Sequence, residues 1–200
     1  MTRRCRMRGQ SMVELAIVLP VLVTVFLGSW TAADLIADNN AAAQATRAGA
    51  RYAAEIGNNG YSSSSTASGC QTSAKDPCAV DAQIIDQMLP IVTSKLTSAV
   101  VTEIDIYQPS GSGNGCNFSS GSCPPNNGDY CCGELLDKYT ISGSTATLSG
   151  SANYTLDQRV QTHPTESELG VRLVFTYTSP TLRVFTQTDS QYSVIRLAPS

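Results

Sequence analysis

Residues 15 to 30, LAIVLPVLVTVFLGSW, contain no charged side chain. As a helix rising about 1.5 Å per residue, this run covers about 24 Å. With Gln10 to Glu14 before it and Thr31 to Ala37 after it, the helix crosses a hydrocarbon core of about 30 Å. Arg3, Arg4, Arg6 and Arg8 precede the run and hold the N-terminus in the cytoplasm, so the rest of the chain faces outward. Trp30 falls where an interfacial aromatic is expected. The segment reads as a single membrane pass with a cytoplasmic N-terminus and a transmembrane part at about 12–31. Three organisations fit it. One is a secretory signal cut near Thr31-Ala32-Ala33, one a plain anchor, and one an anchor with a cleavable leader that later polymerises.

Helix-favouring sequence continues past Thr31. The stretch 31–56, TAADLIADNNAAAQATRAGARYAAEI, has eleven alanines and no Gly or Pro before Gly49, and alanine is the best helix former. Gly57-Asn58-Asn59-Gly60 then stops it. One helix from about Ser11 to Ile56 is expected, about 69 Å long, with a kink at Pro20, which loses a backbone bond. Glu14 lies at the mouth of the apolar run, and an acid at that depth costs a few kcal/mol unless it is paired. A cut between Gly9 and Gln10 would create an amine four residues before Glu14, available to a neighbouring subunit's Glu14. Equally, Glu14 snorkels to the headgroups.

Seven cysteines occur: Cys5, Cys70, Cys78, Cys116, Cys123, Cys131 and Cys132. Six of them follow the membrane segment, and an even exported set reads as a disulfide framework whose pairing the sequence does not fix. Reduced thiols are the alternative. Zinc finds little support, because Cys131 and Cys132 are adjacent, no CxxC is present and His163 is the only histidine. Net charge is −3 and 14% of residues are charged. Beyond the first eight residues there is no clustered Lys and Arg of the kind that binds phosphates, so no nucleic-acid partner is expected.

The segment 57–75 is a polar linker with a serine run at Ser62 to Ser65. Asp76-Pro77 starts a second helix, with Asp as N-cap and Pro at the first helical position. Ile84, Ile85, Met88, Leu89, Val92 and Leu96 form its core-facing stripe, which Pro90 should kink or split. Strands are expected at Val101 to Tyr107 and Val171 to Tyr177, with weaker ones at Tyr139 to Ser142, Thr145 to Tyr154, Leu182 to Thr186 and Tyr192 to Leu197. A helix followed by several strands implies an exported α+β domain over 76–200 with an antiparallel sheet. Inside it lies a Cys-rich, disulfide-rich loop at 108–135, which is a candidate contact surface. Asn126, Asn127 and Asp129 in that loop have calcium-binding oxygens, although turn chemistry explains them equally. Among catalytic signatures, GxSxG, a P-loop and a dinucleotide fingerprint are all missing, so neither an enzyme nor a cofactor is expected.

Arg8-Gly9-Gln10-Ser11-Met12-Val13-Glu14-Leu15-Ala16-Ile17-Val18-Leu19-Pro20 resembles the N-terminus of TadE-like proteins. These are the pilin-like minor components of the tight-adherence (Tad) pilus, within the type IV pilin superfamily. Ala48-Gly49-Ala50-Arg51-Tyr52-Ala53-Ala54 is similar to the family's second marker, and residues 170–185, GVRLVFTYTSPTLRVF, to its strand and proline turn. The resemblance implies a leader at 1–9 that a prepilin peptidase cuts after Gly9. Gln10 then becomes the first mature residue and Glu14 the fifth, serving subunit docking. It also implies other Tad pilins or pseudopilins and inner-membrane platform proteins as partners. A first residue of Gln10, in place of an aromatic, leaves N-methylation open. The alternative role is a membrane-anchored exported binding domain that never polymerises.

Overall fold

The computed structural model describes residues 6–56, 77–110, 117–118, 121–122, 131–150, 152–159, 167–180 and 185–198. The linker 57–75, Asp76, His163 and the oxygen cluster Asn126, Asn127 and Asp129 lie outside the described residues, as do Cys5, Cys70, Cys116 and Cys123.

Helix α1 runs without interruption over Arg6–Ile56. Pro20 sits inside it and does not end it. The helix also includes Thr31, Ala32 and Ala33, so no break marks the signal-type site. Helix α2 follows over Cys78–Lys95, capped by Pro77, whose carbonyl accepts from the Asp81 amide at 2.8 Å. The expected stripe is buried at Ile84, Ile85, Met88, Leu89 and Val92. Pro90 neither splits nor ends α2. It lies on the exposed face, where water can satisfy the Asp86 carbonyl that a proline leaves unpaired.

Five strands form one antiparallel sheet in the order β5-β4-β1-β6-β7. They are β1 (Ala99–Ser110), β4 (Cys131–Ser142), β5 (Thr145–Leu148), β6 (Glu168–Thr178) and β7 (Thr186–Arg196). A separate two-stranded ribbon joins β2 (Asn117–Phe118) to β3 (Gly121–Ser122). The α+β architecture expected from the sequence is therefore present: a long N-terminal helix, a covering helix and an antiparallel sheet. Helices α1 and α2 cover one face. Under them lie Ile104 and Ile106 of β1, Tyr139 and Ile141 of β4, and Leu169, Val171, Leu173 and Phe175 of β6. Alternation with period two is clean in β6, which is why that strand was readable.

Three expectations need correction. The strand expected at Thr145 to Tyr154 stops at Leu148; Gly150, at φ 93°, turns the chain out of the sheet. The strand expected at Tyr192 to Leu197 is longer, β7 beginning already at Thr186; the one expected at Leu182 to Thr186 lies, apart from its last two residues, outside the described residues. The disulfide-rich loop at 108–135 finds no support: its ends belong to the sheet, β1 reaching Ser110 and β4 starting at Cys131, with Ser110 opposite Cys131 and Pro109 opposite Cys132. Backbone pairing orders those ends. Cys78, buried at the start of α2, is disulfide-bonded, and its partner's side chain lies outside the described residues.

Candidate functional site on the N-terminal helix

The two parts of α1 meet different surroundings. From Met12 to Phe26 every residue is exposed, including Val13, Leu15, Ile17, Val18, Leu22 and Phe26. So many bulky apolar side chains cannot face water. Among the described residues, α1 is the one helix long and apolar enough to cross a membrane. Glu14 is exposed at the entrance to this surface and Pro20 is exposed within it. Gly9 and Gln10, the expected cleavage pair, lie on the first turns of the same helix. The structure thus aligns Gly9, Gln10, Glu14 and Pro20 along one rod, separate from the sheet domain.

From Asp38 onward the helix is packed. Asp38, Ala41, Ala42, Ala45, Thr46, Gly49, Ala50, Ala53 and Ala54 are buried at helical spacing. Their small size lets α2 come close. A Cβ on Gly49 would stand 2.5 Å from Met88 Sδ, so a larger residue there would displace the Met88 side chain. Polar contacts lock the same segment. The Asp38 carboxylate accepts from the Thr97 and Ser98 amides at 3.0 and 3.2 Å, gathering the turn between α2 and β1 onto α1. The Asn39 side chain accepts from Gln191 Nε2 at 2.9 Å. The Ala54 carbonyl, one of the helix-end acceptors that lack an internal donor, accepts from the Ala198 amide at 3.2 Å. Lower down, the Tyr177 hydroxyl donates to the Thr31 carbonyl at 3.3 Å.

A second concentration of chemistry lies inside the domain. A capping box between Thr155 and Gln158 shapes the short 3-10 turn Leu156–Gln158, after which Arg159 turns inward and is fully buried. Its guanidinium lies 2.6 Å from Asp81 of α2 and 3.3 Å from Asp137 of β4, donates to the Tyr154 carbonyl at 3.1 Å and stacks over the Tyr154 ring. The Tyr139 hydroxyl donates to Asp81 at 2.9 Å. Asp137 accepts from the Asn153 and Tyr154 amides at 2.6 and 3.0 Å. Burial, then the nearby Asp81, pushes the Asp137 carboxyl up to about 8. Burial works against the Arg159 charge, but the two carboxylates more than offset it and keep it protonated. Burial raises the Tyr139 and Tyr154 hydroxyls. Asp81, Asp137, Tyr139 and Arg159 are all sealed from solvent, so no substrate reaches them. They fasten α2, β4 and the 3-10 turn to one another. On the other face of the sheet, Asp105 is buried beside Arg172 at 3.2 Å, and burial, then Glu103, pushes it up to about 7.

Sequence reasoning found the α2 stripe, and the two residues it singled out on α1, Glu14 and Pro20, both lie on the exposed part of that helix. It missed Asp38, for which a lone acid on an alanine-rich face was the available signal. It also missed the Asp81–Asp137–Arg159 cluster, whose members are dispersed along the chain and follow no motif.

Residues 9–51 match the family model described as TadE-like protein. No curated protein and no solved structure matches the chain. The matched segment begins at Gly9, spans Glu14 and Pro20, and ends two residues beyond Gly49, so it covers both the exposed and the packed parts of α1.

Proposed function

We propose that this chain, whose N-terminal helix carries the TadE-like segment, is a pseudopilin or minor pilin that helps assemble a Tad (Flp-type) pilus used for adherence or secretion. A prepilin peptidase cuts after Gly9, Gln10 becomes the mature N-terminus, and residues 12–31 hold the subunit in the cytoplasmic membrane with the sheet domain outside. Glu14 then meets a positive charge at its own depth, the new amine of a neighbouring subunit, which removes the cost of an unpaired acid in lipid. The role is structural, with other Tad pilins and inner-membrane platform proteins as partners.

One observation carries this reading: the family match coincides with a single uninterrupted helix that presents Glu14 and a bulky apolar surface outward while its far end is fixed to a folded domain. A helix of that design can pack laterally with copies or relatives of itself while the domain stays intact.

The N-terminal residue of membrane-extracted protein, read by intact mass and terminal peptide sequencing, tests it. A start at Gln10 is expected. A start at Met1 would leave the non-polymerising anchored domain, and a start near Asp34 an ordinary secreted one; either removes the pilus reading.

A further inference from the structure

The sheet domain reaches down as far as the apolar run of α1. Strand β7 runs alongside α1, joined to it at two heights: Gln191 to Asn39, and Ala198, just past the strand, to Ala54. Between these points the helix climbs about 22 Å and the extended chain about 23 Å, so the two run nearly parallel. Going down, Gln187 lies about 13 Å below Gln191, level with about Trp30 on the helix. Gln187 pairs with Tyr177 across the sheet, and the Tyr177 hydroxyl bonds the Thr31 carbonyl, as this geometry requires. Phe185 is two residues further, about 7 Å lower, level with about Phe26. Leu27 and Thr31 are half-buried while Gly28, Ser29 and Trp30 beside them are exposed, which shows the side of the helix that the domain covers.

Here the Ser179 amide donates to the Phe185 carbonyl at 3.0 Å and ties the approach to β7 to the end of β6. The Phe185 ring meets the Tyr177 ring edge-on at 6.4 Å and remains 43% exposed. Trp30, about 7 Å higher on α1, is 55% exposed. Two exposed aromatic rings thus stand within about 7 Å of each other in height, beside a run of bulky apolar side chains, the arrangement found where proteins meet the headgroup layer.

We infer that Phe185, just before β7, rests in the phospholipid headgroup layer together with Trp30, so that the sheet domain makes a second membrane contact. The inference rests on α1 being membrane-spanning.

Trp30 is the only tryptophan, which makes the test direct. The full chain is reconstituted in phosphatidylcholine–phosphatidylglycerol vesicles whose lipids carry shallow bromines. In the unchanged chain, bromolipid quenching of Trp30 is expected; its absence overturns the membrane reading itself. In the Trp30→Phe/Phe185→Trp chain, the single indole should be quenched by bromolipid as strongly as Trp30 was, and be shielded from acrylamide. Free access to acrylamide without bromolipid quenching overturns the inference, since that position then stands in water. Shielding from both quenchers also overturns it, in favour of a protein neighbour. The unchanged chain supplies a second reading, independent of how the variant folds, through photolabelling by a lipid with a headgroup-level diazirine. Label on the peptide containing Phe185, as well as on α1, supports the contact. Label confined to α1 overturns it, and an unlabelled α1 again fails the membrane reading.

Discussion

Met12–Trp30 and Asp38–Ala54 belong to one helix, yet burial runs opposite to side-chain hydrophobicity between them. The first stretch carries Val, Leu, Ile and Phe, and nearly all of it is exposed. The second carries mainly Ala, Gly, Asp and Thr, and one whole side of it is sealed. The difference lies in the solvent each stretch is built for. In water, apolar area is driven inward at roughly 25 cal/mol per Å². In lipid that drive vanishes, and bulky side chains can face outward. On the packed half, small side chains are chosen for close approach rather than for hydrophobic area, as Gly49 against Met88 demonstrates.

The comparison can be broken at several points. The largest effect expected is on assembly: Glu14→Ala should leave insertion and the sheet domain unchanged but abolish pili. Normal piliation on electron micrographs of cells carrying the substitution would remove Glu14 from docking. Next in size, Arg159→Met strands Asp81 and Asp137 in the interior and should destabilise the domain by about 3–5 kcal/mol, measured by denaturant unfolding in detergent. Retained stability would mean that the cluster is not what joins α2 to β4. Gly49→Leu overpacks the α1–α2 crossing and should cost about 1–3 kcal/mol; an unchanged midpoint in the same assay would show that the contact yields freely.

The pH response follows from carboxyls whose folded-state values lie above their ordinary 3.8, Asp137 at about 8 and Asp105 at about 7. The folded state then holds protons that the unfolded chain has released, so stability is fullest below about 4 and falls as pH rises toward 8. A melting temperature that declines from pH 5 to pH 8 is the expected record. Asp137→Asn keeps an oxygen for the Asn153 and Tyr154 amides and should flatten that decline; an unaltered slope would assign it elsewhere. The smallest effect belongs to the exposed half: Val21→Leu should shift domain stability by less than about 0.5 kcal/mol. A larger shift would mean that the two halves of α1 are energetically coupled.

Elements with strong periodicity were legible in the sequence. The α1 run and its alanine-rich continuation, the α2 stripe and the alternation in β6 each state their own partner face. Only the second half of strand β7 was read from the sequence, because TQTDSQ, residues 186–191, has no apolar face; it is held by pairing with β6, which no local pattern reports. Strand β4 was hidden behind turn residues and cysteines, although its start is set by Ser110 and Pro109 across the sheet. Tyr107 is another case. Its ring lies over Gly170 on the neighbouring strand, where a Cβ would overlap it, a fit between residues far apart in sequence. At the candidate site, Glu14 and Pro20 stood out because a charge and a proline are anomalies in an apolar helix. Phe185 did not, because its height is set by β7 and not by its neighbours in sequence.

The contact between the last strand and the first helix also orders events during biogenesis. Asn39 and Ala54 find Gln191 and Ala198 only after the intervening domain has been made. Loops that long close slowly, since their entropy must be lost before the contact repays it. Until then the alanine side of α1 has no completed sheet to cover it. The packing of the first helix is therefore timed by the arrival of the segment that forms β7.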